Sequence, residues 1–288
     1  MVPVRASSRA GWYRFTIRQP LVHILAVALV AAAPASADTG LLAVGDFGVG
    51  GERQRLTGAA VQRFAAGPRQ VDALVTLGDN DYTESPTAFS ANWLGSFGWA
   101  AADGLFVAGT LGNHDVRVQR GRYEFDLLGM PSRYYRRRVG DVGLFLVDSN
   151  TIGPVQVRWL ETVLASSDAP WKVVAMHHPA FSCGGYLGDP RVRKLLVPVF
   201  ARTGVDLVLA AHDHNYQRFA ARNGVTYVVH GGGGARLYPL RRCPASFPAR
   251  KRARKAHGWL YLRAGPTSLR VKAIDSRGRV QDQFVLYP

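Results

Sequence analysis

The stretch Val71–Tyr82, VDALVTLGDNDY, decides how the chain is read. Ala73 to Leu77 is an unbroken apolar run with Val75 and Thr76 β-branched, the pattern of a short strand covered on both faces. Gly78 ends it, and the next four residues carry two carboxylates and a phenol. Asp79 and Tyr82 stand three apart in a tight loop, so both side chains can reach one point beyond the strand end. A carboxylate can bridge two cations, and a phenolate is a hard oxygen donor suited to a trivalent one. Gly-Asp-Asn-Asp is also good turn chemistry, so the rest of the chain has to separate a turn from a ligand site.

Toward the N-terminus, Leu41–Val44 is a second apolar run, ending in Gly45-Asp46-Phe47-Gly48. Glu52–Ala66 then has Leu56, Ala59, Ala60, Val61 and Phe64 near helical spacing, and Gly67-Pro68 closes it. Strand, carboxylate loop, helix, strand, carboxylate loop is a βαβ unit whose crossover should be right-handed. Toward the C-terminus, Phe89–Trp99 reads as an aromatic helix, and Leu105–Leu111 as a strand running into Gly112-Asn113-His114-Asp115. An arginine- and tyrosine-rich segment, Arg117–Arg138, holds Tyr134-Tyr135 as an edge strand. Val142–Val147 and Trp171–Met176 read as strands and Val157–Ala165 as a helix. Arg191–Arg202 reads as one helix with Leu195, Leu196, Val199 and Phe200 inward, and Val205–Ala210 as a strand ending in His212-Asp213-His214. Val225–Val229 follows, and Arg241–Lys255 reads as a cationic surface loop. The tail alternates around Leu260, Leu269, Val280 and Gly278, an antiparallel meander.

Five strands thus end in a ligand-type residue: Asp46, Asp79, Asn113, His177 and His212, at steps of 33, 34, 64 and 35 residues. About 30 residues is the length of one βαβ unit, and 64 is close to two. Parallel strands with that spacing place all five loops at the carboxyl edge of a sheet, where open α/β sheets bind ligands. Five such ends at one edge favour a metal site over five turns. With no internal repeat and no second core, residues 38–288 read as a single domain.

The chain has 288 residues, enough for a large core, and a formal net charge of +16. Residues 1–37 read as a secretory signal peptide: Arg5, Arg9, Arg14 and Arg18 precede the apolar run Leu21–Ala33, and Ala35-Ser36-Ala37 has the form of a cleavage site. The run is short for a bilayer span, although an uncleaved anchor is the alternative. No adjacent arginine pair precedes it, which gives no support to twin-arginine export. A secreted location, extracellular or in the cell envelope, follows. The mature chain stays basic and is drawn to anionic polymers and substrates. Cys183 and Cys243 are the only cysteines; in an exported chain they can form a disulfide, two buried thiols being the alternative.

Gly45-Asp46-Phe47-Gly48, Gly78-Asp79-Asn80-Asp81-Tyr82, Gly112-Asn113-His114-Asp115, Val174-Ala175-Met176-His177 and Ala211-His212-Asp213-His214 together resemble the five blocks of the calcineurin-like metallophosphoesterases. Tyr82 narrows the resemblance to the purple acid phosphatases, in particular the small tartrate-resistant type. It implies an α/β fold, a four-layer sandwich of two mixed β-sheets flanked by helices. It also implies Fe3+ held by Asp46, Tyr82 and His214, a divalent metal (Fe2+, Zn2+ or Mn2+) held by Asn113, His177 and His212, and Asp79 bridging the two. His114 would face the phosphate as an imidazolium. The implied activity is acid hydrolysis of phosphomonoesters by in-line attack of a hydroxide.

The sequence departs from the family in three places. Phe47 replaces a common tryptophan, Ala211 a usual glycine, and Ser182–Asp189 lacks the histidine that relatives use to protonate the leaving group. His178 is the catalytic substitute expected here, with Asp189 as the other candidate. The expected partner is a small phosphate ester, with no specific nucleic acid, no membrane after signal cleavage, and a monomeric chain. A phosphodiesterase of the same superfamily and a non-catalytic basic anion-binding module are the alternatives.

Overall fold

The computed structural model describes residues 1–2 and 38–288; the signal-peptide expectation therefore falls, its first two positions apart, outside the described residues. Residues 38–288 lie in one compact unit. Its strands are β1 (Thr39–Val44), β2 (Ala73–Leu77), β3 (Phe106–Thr110), β4 (Tyr135–Val139), β5 (Val142–Leu146), β6 (Trp171–Ala175), β7 (Leu207–Ala210), β8 (Tyr216–Phe219), β9 (Thr226–His230), β10 (Arg250–Arg254), β11 (Gly258–Gly265), β12 (Ser268–Asp275) and β13 (Val280–Leu286). They form a six-stranded sheet, β13-β12-β11-β1-β2-β3, and a seven-stranded sheet, β10-β8-β9-β7-β6-β5-β4.

Both sheets are mixed. β1, β2 and β3 pair in parallel while β11, β12 and β13 add an antiparallel meander to β1. In the second sheet β5, β6, β7 and β9 are parallel, with β4 and β8 antiparallel at their flanks. The period of two along each strand divides the core. Val173 and Ala175 of β6, with Leu207 and Leu209 of β7, face the first sheet, whereas Val174 and Met176, with Val208 and Ala210, pack against Leu160, Leu164, Val199 and Phe200 of the outer helices. Burial on both faces is why these strands read as continuous apolar runs rather than as alternating ones.

Four expectations change. The five ligand-bearing strands do not share a sheet: β1, β2 and β3 belong to one and β6 and β7 to the other, and the site lies where the two carboxyl edges converge. The helix expected over Phe89–Trp99 is two pieces, Pro86–Leu94 and Trp99–Ala102, parted at Gly95 and Gly98. Arg191–Arg202 is likewise Pro190–Leu195 and Val197–Arg202, because Pro198 lacks the N–H that would continue the ladder. That break leaves Leu195 37% exposed rather than inward. Finally, the cationic loop contains a strand, β10, which hydropathy could not reveal because its side chains are charged.

Candidate metal centre

Three of the site residues sit on strained backbone. Asp46, Asp79 and His212 have φ of 56°, 51° and 67°, in the left-handed region where a residue with a Cβ is disfavoured by roughly 1–3 kcal/mol. The turn at each strand end aims the side chain back across the sheet edge. Two glycines allow the close approach: a Cβ on Gly112 would collide with Asp79 Oδ1, and one on Gly231 with Asp46 Oδ2. Ala211, the departure from glycine, is accommodated because its methyl packs on the bare α-carbon of Gly45.

The structure brings the seven expected donors together as two triads. In the first, the Tyr82 hydroxyl lies 3.1 Å from Asp46 Oδ1 and 3.2 Å from His214 Nε2, which is itself 3.2 Å from Asp46 Oδ1. In the second, His177 Nε2 lies 3.2 Å from both Asn113 Oδ1 and His212 Nδ1. Asp79 stands between them, its Oδ1 3.4 Å from His177 Nε2 and its carboxylate in hydrogen-bonding reach of Tyr82.

The donor set fits cations. His177 donates Nδ1–H to the Leu77 carbonyl at 2.9 Å, and His214 donates Nδ1–H to the Arg236 carbonyl at 2.8 Å. When neutral, each ring therefore turns an unprotonated Nε2 toward the site, the tautomer of a metal ligand. His177 Nε2 and Asn113 Oδ1 are then two acceptors face to face with no hydrogen between them. A cation turns that repulsion into binding.

The electrostatics of the bare chain agree. Burial holds Asp46 above the usual carboxylate range, and burial with the facing charge of Asp46 holds Asp79 well above it. Burial, then Asp46 and Asp79, push the Tyr82 phenol up, so only a strong positive charge would ionise it. Burial and the neighbouring histidines hold His177 well below its ordinary value and His212 at about 3, neutral as ligation requires. His214 is the exception: burial opposes its charge, but the bond to Asp46 and that carboxylate's charge outweigh burial and raise it, so in the bare chain this ring favours the proton that a cation would displace.

His114 and His178 border the triads. The His114 ring lies 4.3 Å from the Tyr82 ring, its backbone N–H donates to Asp79 Oδ1, and its buried Nδ1 has no partner among the described residues. Burial and Arg117 hold it below the ordinary histidine value, so the chain alone does not favour the expected imidazolium. His178 pairs through Nδ1 with the Ser149 hydroxyl at 2.9 Å, and the same hydroxyl accepts the His178 backbone N–H. In the tautomer in which the Ser149 hydroxyl donates to Nδ1, the ring's own proton lies on Nε2. His178 also has a nitrogen within 4.8 Å of ligand atoms of His177 and His212. Asp189, the other candidate proton donor, is committed elsewhere. It caps the helix Pro190–Leu195 and pairs with Arg191; burial raises it, but those bonds outweigh burial and hold it ionised.

Two residues of the site were not foreseen. Tyr186 stacks on His212 with ring centroids 4.3 Å apart, and Tyr238 stacks on His214 at 4.1 Å. Their loops are joined by the Cys183–Cys243 disulfide, whose Cα atoms are 5.1 Å apart. The available signal was an aromatic residue near each cysteine in a glycine- or proline-broken loop. Tyr216, which lies near the last block, is not at the site: its hydroxyl donates to Asp282 at 2.7 Å.

Residues 39–216 match the family model described as calcineurin-like phosphoesterase. The chain is 37% identical over 78 residues to tartrate-resistant acid phosphatase type 5 of Homo sapiens, covering 27% of this chain and 24% of that protein. It is 32% identical over 82 residues to purple acid phosphatase 17 of Arabidopsis thaliana, covering 28% and 24%. The chain thus spans about a quarter of the length of the curated relatives it matches. Among solved structures, purple acid phosphatase PPD1 from yellow lupin superposes with a TM-score of 0.73 at 18% identity, over 88% of this chain and 54% of that one, a likeness of fold. With the matched region taking in all five strand ends, from Asp46 to His212 and His214, this chain belongs to the calcineurin-like phosphoesterase family.

Proposed function

We propose that the protein is an exported acid phosphatase, a metal-dependent hydrolase of small phosphomonoesters that acts as a monomer and needs neither nucleic acid nor membrane. The observation that carries this is the pair of buried and half-buried donor triads joined by Asp79. Asp46, Tyr82 and His214, rich in anionic oxygen, would hold Fe3+. Asn113, His177 and His212, neutral donors, would hold a divalent ion: Fe2+, Zn2+ or Mn2+. When bound, such a pair supplies Lewis acidity toward a phosphate oxygen and toward water.

The chain's own residues do the rest. Asp46, Asp79 and ionised Tyr82 contribute three negative charges against five from the ions, leaving a surplus for an anionic substrate. His114 borders the first triad, where an arriving phosphate would raise its affinity for a proton and gain a donor to an equatorial oxygen. His178 offers Nε2–H toward the site, positioned by Ser149, and can supply the proton that an alkoxide leaving group needs. Tyr186 and Tyr238 hold the His212 and His214 rings in place and shield them from water.

The test is metal analysis and a visible spectrum of purified oxidised protein, with a panel of mono- and diesters. The expected result is iron plus a second metal, a visible charge-transfer band that Tyr82→Phe abolishes, and faster hydrolysis of monoesters. A colourless protein with two divalent ions that cleaves diesters would assign it to the phosphodiesterases instead. Protein without metal or turnover would leave an anion-binding module.

A further inference from the structure

We infer that the cleft beside the metal donors is a subsite for a second phosphate group, held by Arg120, Arg133 and Arg191, which admits condensed phosphates as substrates alongside the monoesters. This rests on the phosphatase reading above. A cavity of about 610 Å³ opens from Asn113 and His178 and is walled by these three arginines with Asn150 and Thr151. A neighbouring cavity of about 540 Å³ shares Arg120 and Arg133 and adds Arg122. The guanidinium groups therefore line a track that begins at a metal donor and leads away from it.

Two of the arginines are oriented by carboxylates, and all three keep donors for a ligand. Arg133 is pinned by Nε to Asp148 Oδ2 and by Nη1 to the Arg120 carbonyl, both at 2.7 Å, and its Nη2 has no partner among the described residues. Asp148 is itself saturated, its Oδ1 accepting two N–H groups of Asn150. Arg191 uses Nε and Nη2 on Asp189 and keeps Nη1. The Arg120 guanidinium has no hydrogen-bond partner among the described residues, and its backbone is strained: Gln119, Arg120 and Gly121 are successively left-handed, with φ of 46°, 56° and 77°. Strain of that kind persists where surrounding structure imposes it, and it clusters at ligand sites. Three guanidiniums face two neutralised carboxylates, so the cleft carries a net positive charge before any metal is counted.

The lining also bears on the rest of the substrate. Val116 is the one apolar side chain lining the first cavity and the His178 imidazole its one ring, so the part nearest the metal donors is lined for an anion, while Phe125 and Met130 enter only in the second cavity. A linear chain of phosphates matches the track. In the reaction, water oxygen bonds to the terminal phosphorus and the bridging P–O bond breaks with its electron pair on the bridging oxygen. One water proton stays on the released orthophosphate and the other passes to the leaving phosphate or to solvent. A phosphate leaves as an anion without prior protonation, so fixed cations serve it where a proton donor would serve an alkoxide.

The experiment compares tripolyphosphate with p-nitrophenyl phosphate on the metal-loaded protein, for wild type and Arg120→Gln, and measures methylenediphosphonate binding by calorimetry. Arg120→Gln is expected to cost about 10–100-fold in kcat/KM for tripolyphosphate, at least about tenfold more than for the aryl ester, and to weaken diphosphonate binding by a similar factor. Arg133→Lys, which keeps the charge but not the fork, should fall between. Equal losses on both substrates, or diphosphonate affinity unchanged by Arg120→Gln, would overturn the subsite while leaving the phosphatase reading intact. A protein inert on both substrates would count against the phosphatase reading alone, and the binding arm would still decide the subsite.

Discussion

At the scale of single residues, His177 and His178 show how adjacent identical side chains acquire different work. Both follow the end of β6 and their rings stand 4.9 Å apart, but their anchors differ: the fully buried His177 sets its Nδ1 on a backbone carbonyl and keeps a lone pair for a cation, whereas His178 sets its Nδ1 on the Ser149 hydroxyl. Alanine at 177 is therefore expected to lower metal content and activity together. Alanine at 178 should leave both metals bound and slow turnover by about 100-fold or more for poor leaving groups, with a much smaller effect on good ones. Metal lost equally from both variants would make His178 a ligand, and equal slowing for all leaving groups would remove it as the proton donor. The ligand types and their order were legible because each follows an apolar run directly. Tyr186 and Tyr238 were not, since nothing in a loop's sequence tells which ring it will cover.

Elements show the same division. β2 was readable to the residue, because five buried positions in a row leave no polar alternative. β10 was not, because an edge strand bonded on one side tolerates charge, and here RKRAR at one edge of the seven-stranded sheet is matched by arginines on β4 at the other. Charged edges hinder pairing with a second copy. The short helix Arg122–Leu127 carries a further tension. Glu124 is fully buried, and neither carboxylate oxygen has a partner among the described residues. Burial, with Asp115 adding to it, pushes the group up to about 8. A carboxyl raised from its ordinary value of 4.5 favours the fold while protonated, so its contribution is complete below about 4.5 and is lost as pH rises through 8. Glu124→Met should stabilise by about 1–3 kcal/mol at pH 8 and much less at pH 4.5, read from paired thermal melts. Parallel pH profiles for the two proteins would refute this.

For the molecule as a whole, the two sheets are held by more than apolar contact. Trp171 of β6 donates its indole N–H to the Gly265 carbonyl of β11 at 2.7 Å, and Asp282 of β13 accepts from Tyr216 and Arg218 of β8, both at 2.7 Å. The disulfide adds a covalent tie between the loop after β6 and the cationic segment, at a separation of 60 residues. On the chain-entropy model, closing such a loop stabilises by about 4 kcal/mol. The Cys183→Ser/Cys243→Ser double variant should lose roughly that in denaturant unfolding, and should also loosen the Tyr186 and Tyr238 stacks on the ligand histidines, lowering metal retention. Two alkylatable thiols in protein from its native source, or an unchanged unfolding midpoint in the double variant, would show that the bridge does not form or does not stabilise.

The amino-acid order by itself determined the strands that are buried on both faces, the polar residue that ends each of them, and through their spacing the crossover units between. Those are local properties: an apolar run has one use in a folded chain, and a ligand at a strand end is carried wherever that strand goes. The tertiary structure decided which strands share a sheet, which charged segment becomes an edge, and which arginines from separate loops wall one cleft. Each of these depends on contacts between residues far apart in the chain. Surface loops pay little for any particular arrangement until the two sheet edges are brought together, so their sequence alone does not select one.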